Sequence, residues 1–140
     1  MIYKKLKIII VDDCEQFRSG LKFYLENKCG FKVIAEASNG NEFLKLCNIH
    51  NADIVIMDLM MPEKNGFDTT LEATHLYRGI KIIAITENEK NAHLLQIIQS
   101  GFRACILKTE IFDELLNIIE KVMNGEYKLC KGVKTTIEMN

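Results

Sequence analysis

The stretch Lys7-Ile8-Ile9-Ile10-Val11-Asp12-Asp13 decides how this chain is read. Four consecutive β-branched residues favour a short strand, and apolar side chains on both of its faces require both faces to be covered. The run then stops abruptly at two adjacent carboxylates. A strand buried on both sides and ending in acid fits a parallel sheet whose chemistry gathers at the C-terminal edge of its strands.

Four more apolar runs follow the same rule, at residues 32–37, 54–57, 81–85 and 104–107. They are rich in Ile and Val and nearly continuous in hydrophobicity, as buried parallel strands are. Amphipathic segments separate them. Phe17, Leu21, Tyr24 and Leu25 recur at helical spacing within 14–27, and Phe43, Leu44 and Cys47 do so within 41–48. Leu94, Leu95, Ile97 and Ile98 mark a helix over 91–100 that Gly101 stops. Leu115, Ile118, Ile119 and Val122 mark another over 111–124, ended by Gly125. Residues 66–77 give a weaker helical pattern, diluted by threonines. Five β-α repeats predict an α/β protein of flavodoxin-like (βα)5 type, doubly wound, with a parallel sheet in the order 2-1-3-4-5 and right-handed crossovers.

The bulk numbers agree with one globular domain. The chain has 140 residues, 48% hydrophobic and 26% charged, enough to bury a core without metal or disulfide support. A net charge of -1 offers no field for nucleic acid or an anionic membrane, so neither is expected as a direct partner. Cys14, Cys29, Cys47, Cys105 and Cys130 form no C-x-x-C, which argues against zinc fingers and redox pairs and predicts free thiols in a reducing compartment. The basic start, residues 1–7, precedes an apolar run that ends at Asp12, too short for a signal peptide. No stretch reaches membrane-spanning length, and a cytoplasmic location is expected. Residues 1–125 read as the folded domain. Residues 126–140 lose periodicity and read as a flexible tail or the stump of a linker.

The polar residues at the strand ends carry the function. Asp12 and Asp13 follow the first strand, Asp58 the third, Thr86 the fourth and Lys108 the fifth. One sheet edge therefore collects three carboxylates, a hydroxyl and an ammonium. Clustered carboxylates repel one another and call for a cation, and an all-oxygen ligand set suits Mg²⁺. A magnesium ion, a lysine and a hydroxyl around a carboxylate suit phosphoryl transfer, which needs positioning and neutralisation of phosphoryl oxygens. A carboxylate can itself be the nucleophile.

In these residues the chain resembles a response-regulator receiver domain of two-component signal transduction. The matching pieces are 8–13, then Asp58-Leu59-Met60-Met61-Pro62 with Gly66, then Ile83-Ala84-Ile85-Thr86, then Leu107-Lys108. The resemblance spans residues 5–125. It implies a signalling switch rather than an enzyme acting on a free substrate. Asp58 resembles the phosphoacceptor, charged from a phosphohistidine on a sensor histidine kinase or histidine phosphotransfer protein. The resemblance further implies that Asp13, Asp58 and the backbone carbonyl of Met60 ligate Mg²⁺ while Asp12 holds the ion through water. Lys108 would pair with Asp58 at rest and with the phosphoryl oxygens afterwards, and Thr86 would hydrogen-bond the phosphoryl group. Pro62 and Gly66 would shape the adjoining loop. Members of the family often form homodimers, through the fourth and fifth helices or the first and fifth.

Alternatives stand beside each role. Asp12 could serve as the N-cap of the first helix and Thr86 as that of the fourth, and Lys108 could be a solvated surface lysine. His50, His75 and His93 show no ligand spacing. A haloacid-dehalogenase phosphatase would need a D-x-D at the strand end, and a flavodoxin a Ser/Thr-Gly phosphate loop where Asp12-Asp13-Cys14 would repel phosphate.

Three positions depart from the receiver pattern. Cys105 stands where an aromatic residue often relays the switch outward. Glu87 stands where a small residue is common, and its carboxylate is expected to hinder access or alter the rates of phosphorylation and dephosphorylation. Thr109 replaces a frequent proline. Residues 115–126 are similar to the last receiver helix of NarL/FixJ-type regulators, which continue into a helix-turn-helix domain. The alternative to a stand-alone switch is thus the receiver portion of a DNA-binding transcription regulator, with the output unspecified.

Overall fold

The structure, a computed structural model, describes residues 5–91 and 93–128. Strands β1 (Lys7–Val11), β2 (Lys32–Ala37), β3 (Ile54–Asp58), β4 (Ile82–Thr86) and β5 (Ala104–Leu107) alternate with helices α1 (Glu15–Asn27), α2 (Gly40–Leu44), α3 (Gly66–Leu76), α4 (Leu94–Ser100) and α5 (Ile111–Met123). All strand pairs are parallel, in the order β2-β1-β3-β4-β5. The expected flavodoxin-like arrangement is present.

The two-residue period of a strand divides the core. Ile8, Ile10, Ile54, Ile56, Ile83 and Ile85 pack with α1 and α5 through Leu21, Leu25, Leu115, Ile118 and Ile119. Ile9, Val11, Val55, Met57 and Ala84 point to the other side and meet Phe43, Phe67, Ala73 and Ile97 of α2, α3 and α4. Every apolar residue of the quoted strand is therefore used, half on each face. In α5 the buried positions 111, 115, 118, 119 and 122 form one stripe, the 3.6-residue period made visible.

Several boundaries differ from the sequence expectation. β3 and β4 each run one residue further, because Asp58 pairs with Ile85 and Thr86 with Leu107 in the ladder. Both polar residues thus sit within pleated backbone, which fixes the direction of their side chains. The second helix is shorter than expected. Asn39 caps it by accepting the Glu42 N–H at 2.9 Å, but tight turns at Lys45 and Leu46 end it. A 3₁₀ turn at Ile49–Asn51 completes the connection. The fourth helix starts at Leu94, after a 3₁₀ turn at Glu89–Asn91.

Beyond α5 the chain returns to the sheet. Lys128 forms an isolated parallel bridge with Ala104, in which the Lys128 N–H donates to Arg103 and its carbonyl accepts from Cys105. Residues 129–140, most of the expected tail, lie outside the described residues. Cys14, Cys29 and Cys47 are free. Cys105 corrects the free-thiol expectation, because it is disulfide-bonded. It lies on an edge strand along which the chain returns after a whole helix, a proximity that local cysteine spacing does not encode. Among the described residues no helix is long and apolar enough to cross a membrane.

Candidate functional site

The site is built at the C-terminal edge of the sheet, where β1, β3, β4 and β5 end side by side. The Asp12 N–H donates to the Ala37 carbonyl at 3.0 Å, which extends the β1–β2 pairing to the acid. The Arg18 guanidinium, one turn into α1, donates to the Asp12 carbonyl and pairs with Glu36 at 3.2 Å. Asp12 is fully buried. Its Oδ1 accepts the Cys14 N–H at 2.8 Å. This is a turn two residues long and not the N-cap of α1, whose cap position is Cys14 with no side-chain bond.

Asp58 ends β3 and is also buried. The following loop turns sharply beneath it. The Lys64 N–H donates to Pro62 at 2.8 Å, and the residue between them, Glu63, has φ +67°. This is a γ-turn with positive φ at a non-glycine residue, a strained form. Asn65 then caps α3 by accepting the Asp68 N–H at 2.9 Å. Gly66 starts that helix pressed against the Asp58 backbone. A side chain there would strike the Asp58 carbonyl oxygen and come within 3.0 Å of Leu59 Cα. The Met60 N–H donates to Asp58 Oδ1 at 3.3 Å.

Lys108, just past β5, joins the carboxylates. Its side chain is only 9% exposed, with Nζ 2.7 Å from Asp12 Oδ2 and 3.3 Å from Asp58 Oδ2. A solvated surface lysine is thereby ruled out. Lys108 donates a hydrogen bond to Asp58 and lies closer still to Asp12. Glu87 Oε1 approaches the same ammonium at 3.6 Å, and the Phe17 ring of α1 lies under it, 4.6 Å to the centroid. Its spacing marks Phe17 only as a helix-periodic apolar residue; its place one turn after Asp13 is the available signal. Arg18 carried no such signal, since a lone arginine on an amphipathic helix is ordinary.

The electrostatics follow from burial. The Asp58 carboxyl is pushed up to about 7, first by burial and then by the charge of Asp12, with Lys108 and the Met60 N–H opposing. Burial pulls the Lys108 ammonium down, but its bond to Asp12 and the charges of Asp58 and Asp12 outweigh that and leave its pKa above the ordinary value.

Thr86 is buried and its hydroxyl donates to the Asn88 carbonyl at 3.1 Å. It does not cap α4, which begins later, after His93. Carboxylate oxygens of Asp12, Asp13 and Asp58 lie within 4.8 Å of one another. Asp12 Oδ2 is held by the Lys108 ammonium at 2.7 Å, while Asp13 is exposed. An all-oxygen cluster that is open on the Asp13 side fits a hard divalent cation.

The site residues named from sequence are therefore in one place. Residues 8–120 match the family model of the response regulator receiver domain. The chain is 31% identical over 128 residues to the response regulator UvrY of Escherichia coli K12, covering 91% of this chain and 59% of that protein. It is 27% identical over 121 residues to the transcriptional regulatory protein DegU of Brevibacillus brevis, covering 86% of this chain and 51% of that one. The chain thus spans little more than half the length of these curated relatives. Among solved structures, a LuxR-family two-component response regulator from Aurantimonas sp. SI85-9A1 superposes with TM-score 0.81 at 27% identity, covering 89% of each chain. The chain belongs to the response regulator receiver domain family.

Proposed function

We propose that Asp58 is the phosphoacceptor of this receiver, charged from a phosphohistidine on a sensor histidine kinase or histidine phosphotransfer protein. The observation that carries the reading is the shared ammonium: Lys108 Nζ stands within reach of both Asp12 and Asp58, beside a cluster of three carboxylates. An Asp58 oxygen attacks phosphorus, the N–P bond breaks, and the imidazole leaves with the electron pair. Lys108 neutralises the phosphoryl oxygens that arrive at Asp58.

Mg²⁺ is the cation we assign to the acidic cluster, with Asp13, Asp58 and the Met60 carbonyl as direct ligands. Asp12 serves through water, because its two oxygens already face the Cys14 N–H and Lys108. When bound, Mg²⁺ supplies charge neutralisation for the phosphoryl oxygens. Thr86 hydrogen-bonds the phosphoryl group by giving up the Asn88 carbonyl, exchanging a neutral hydrogen bond for a stronger charge-assisted one. That exchange draws the segment after β4 towards the site and supplies a population shift.

The switch operates in the cytoplasm, where a reducing pool acts against the Cys105 disulfide. The receiver runs at least to Lys128, which pairs with β5, with a tail or linker after it, and self-association through α1, α4 or α5 is compatible with this reading. A second reading is favoured by the relatives: this is the receiver portion of a longer DNA-binding transcription regulator, since it spans 51% of DegU and 59% of UvrY. A stop codon directly after Asn140 in the gene excludes it.

Incubation with acetyl phosphate and Mg²⁺, followed by intact mass, tests the phosphoacceptor. One phosphoryl group is expected on the wild type and none on Asp58→Asn. A wild-type chain that stays folded and unlabelled overturns the proposal.

A further inference from the structure

We infer that Glu87 competes with the incoming phosphoryl group for Lys108, and so makes the labelling of Asp58 sensitive to the charge of the phosphodonor. The inference rests on the phosphoacceptor reading above. Glu87 directly follows the last residue of β4, and its side chain is 75% exposed. Its carboxylate nonetheless turns back to within 3.6 Å of Lys108 Nζ.

The ammonium is ringed by carboxylates. An ammonium has three N–H donors, and Lys108 faces three carboxylates: Asp12 at 2.7 Å, Asp58 at 3.3 Å and Glu87 at 3.6 Å. The Phe17 ring occupies a further side at 4.6 Å. A phosphoryl group on Asp58 requires Lys108 to release one partner. Asp12 is buried and would be left as an uncompensated charge, which is strongly unfavourable. Asp58 carries the phosphoryl group itself. Glu87 is the longest contact and the only exposed one of the three, so water can take it over.

The displaced carboxylate remains anchored next to Thr86, so its charge continues to face the entry to the site. Its repulsion grows with the negative charge of the donor. Acetyl phosphate is a dianion near neutral pH, whereas phosphoramidate is a zwitterion with one net negative charge. Glu87 therefore slows the first more than the second. A donor protein that covers the exposed carboxylate, or pairs it with a cation, escapes the penalty. Glu87 is a positioning residue acting through Lys108 and not a catalytic one.

The test is labelling of the full chain, followed by intact mass, for wild type, Glu87→Gln, Glu87→Ala and Glu87→Asp, with Asp58→Asn as the control. Each chain is incubated with Mg²⁺ and either acetyl phosphate or phosphoramidate. In the acetyl phosphate reaction an Asp58 oxygen bonds to phosphorus and acetate leaves with the electrons of the broken P–O bond. In the phosphoramidate reaction the P–N bond breaks and ammonia leaves from the already protonated nitrogen. Glu87→Gln and Glu87→Ala are both expected to label about two- to five-fold faster than wild type with acetyl phosphate, the range an exposed ion pair can reach. The gain with phosphoramidate is smaller, Glu87→Asp stays near wild type, and the difference shrinks as salt is raised. If Glu87→Gln behaves as wild type while Glu87→Ala is fast, bulk and not charge is responsible and the inference falls. It falls also if both donors gain equally. Labelling of the wild type that is lost in Asp58→Asn, with no effect of any Glu87 substitution, refutes this inference and leaves the phosphoacceptor intact. Absence of labelling in every chain refutes both.

Discussion

Gly66 Cα lies so close beneath Asp58 that a single methyl group on it would collide with the Asp58 carbonyl oxygen. Its N–H meanwhile donates to the Leu59 carbonyl at 2.9 Å, so neither the helix nor the strand end can move away freely. Gly66→Ala is expected to destabilise the fold by about 1–3 kcal/mol, the usual cost of an overpacked site. It should also lower the rate of Asp58 labelling. Urea unfolding measures the first effect and intact-mass time courses the second. Wild-type stability together with wild-type labelling would mean that the loop has room to shift.

The raised pKa of Asp58 makes metal-free stability depend on pH. The folded state holds the Asp58 proton up to about pH 7, whereas the ordinary value is 3.8. Between those values the folded chain binds more protons than the unfolded chain, so this contribution to stability falls as pH rises and is exhausted above the folded pKa. Asp58→Asn removes the buried charge. Without metal, the variant is expected to be more stable than wild type by about 2–4 kcal/mol at pH 8, with the difference shrinking towards pH 4. Thermal melts in chelator across that range check the sign, and a gap that widens on acidification would contradict it.

Lys108 is the counter-ion that Asp12 depends on. Lys108→Met leaves Asp12 buried without a cation, and breaking such a pair costs about 3–5 kcal/mol. Mg²⁺ should recover part of that loss, because the cluster of Asp12, Asp13 and Asp58 then has a different cation. Melts with and without Mg²⁺ should show a larger metal-induced rise for Lys108→Met than for wild type. An equal rise would separate the lysine from the metal site.

Glu63 holds a backbone angle that glycine adopts freely, φ +67°. Glu63→Gly is expected to leave stability unchanged or raise it by up to about 1 kcal/mol, the release of left-handed strain offsetting the added freedom of the unfolded chain. Denaturant midpoints decide this. A clear loss of stability would mean that the Glu63 side chain supports the loop.

Much of this architecture was legible before any coordinates. Ile8 to Val11 announced a strand covered on both faces, and Ile9 and Ile10 indeed pack into opposite halves of the core. Asp12, Asp58, Thr86 and Lys108 converge because parallel strands share one C-terminal edge. What could not be read were relations set by pleat, turn and long return paths. The preference of Lys108 for Asp12 over Asp58 depends on fractions of an ångström at the end of a flexible side chain. The shortening of α2 reflects turns around Lys45 and Leu46 that compete with an amphipathic pattern. Phe17 gave the signal of a core residue, and its contact with Lys108 depends on how α1 is rotated against the sheet.

The return of the chain to β5 also bears on solubility. β5 closes one side of the sheet, and an outermost strand normally presents unpaired amides and carbonyls on which a strand of another molecule can nucleate. Here the Arg103 carbonyl and the Cys105 N–H on that margin are already bonded to Lys128. Lys128, five residues past the last helix, thus acts as a selvedge, keeping the fabric of the sheet from being extended by a neighbouring molecule.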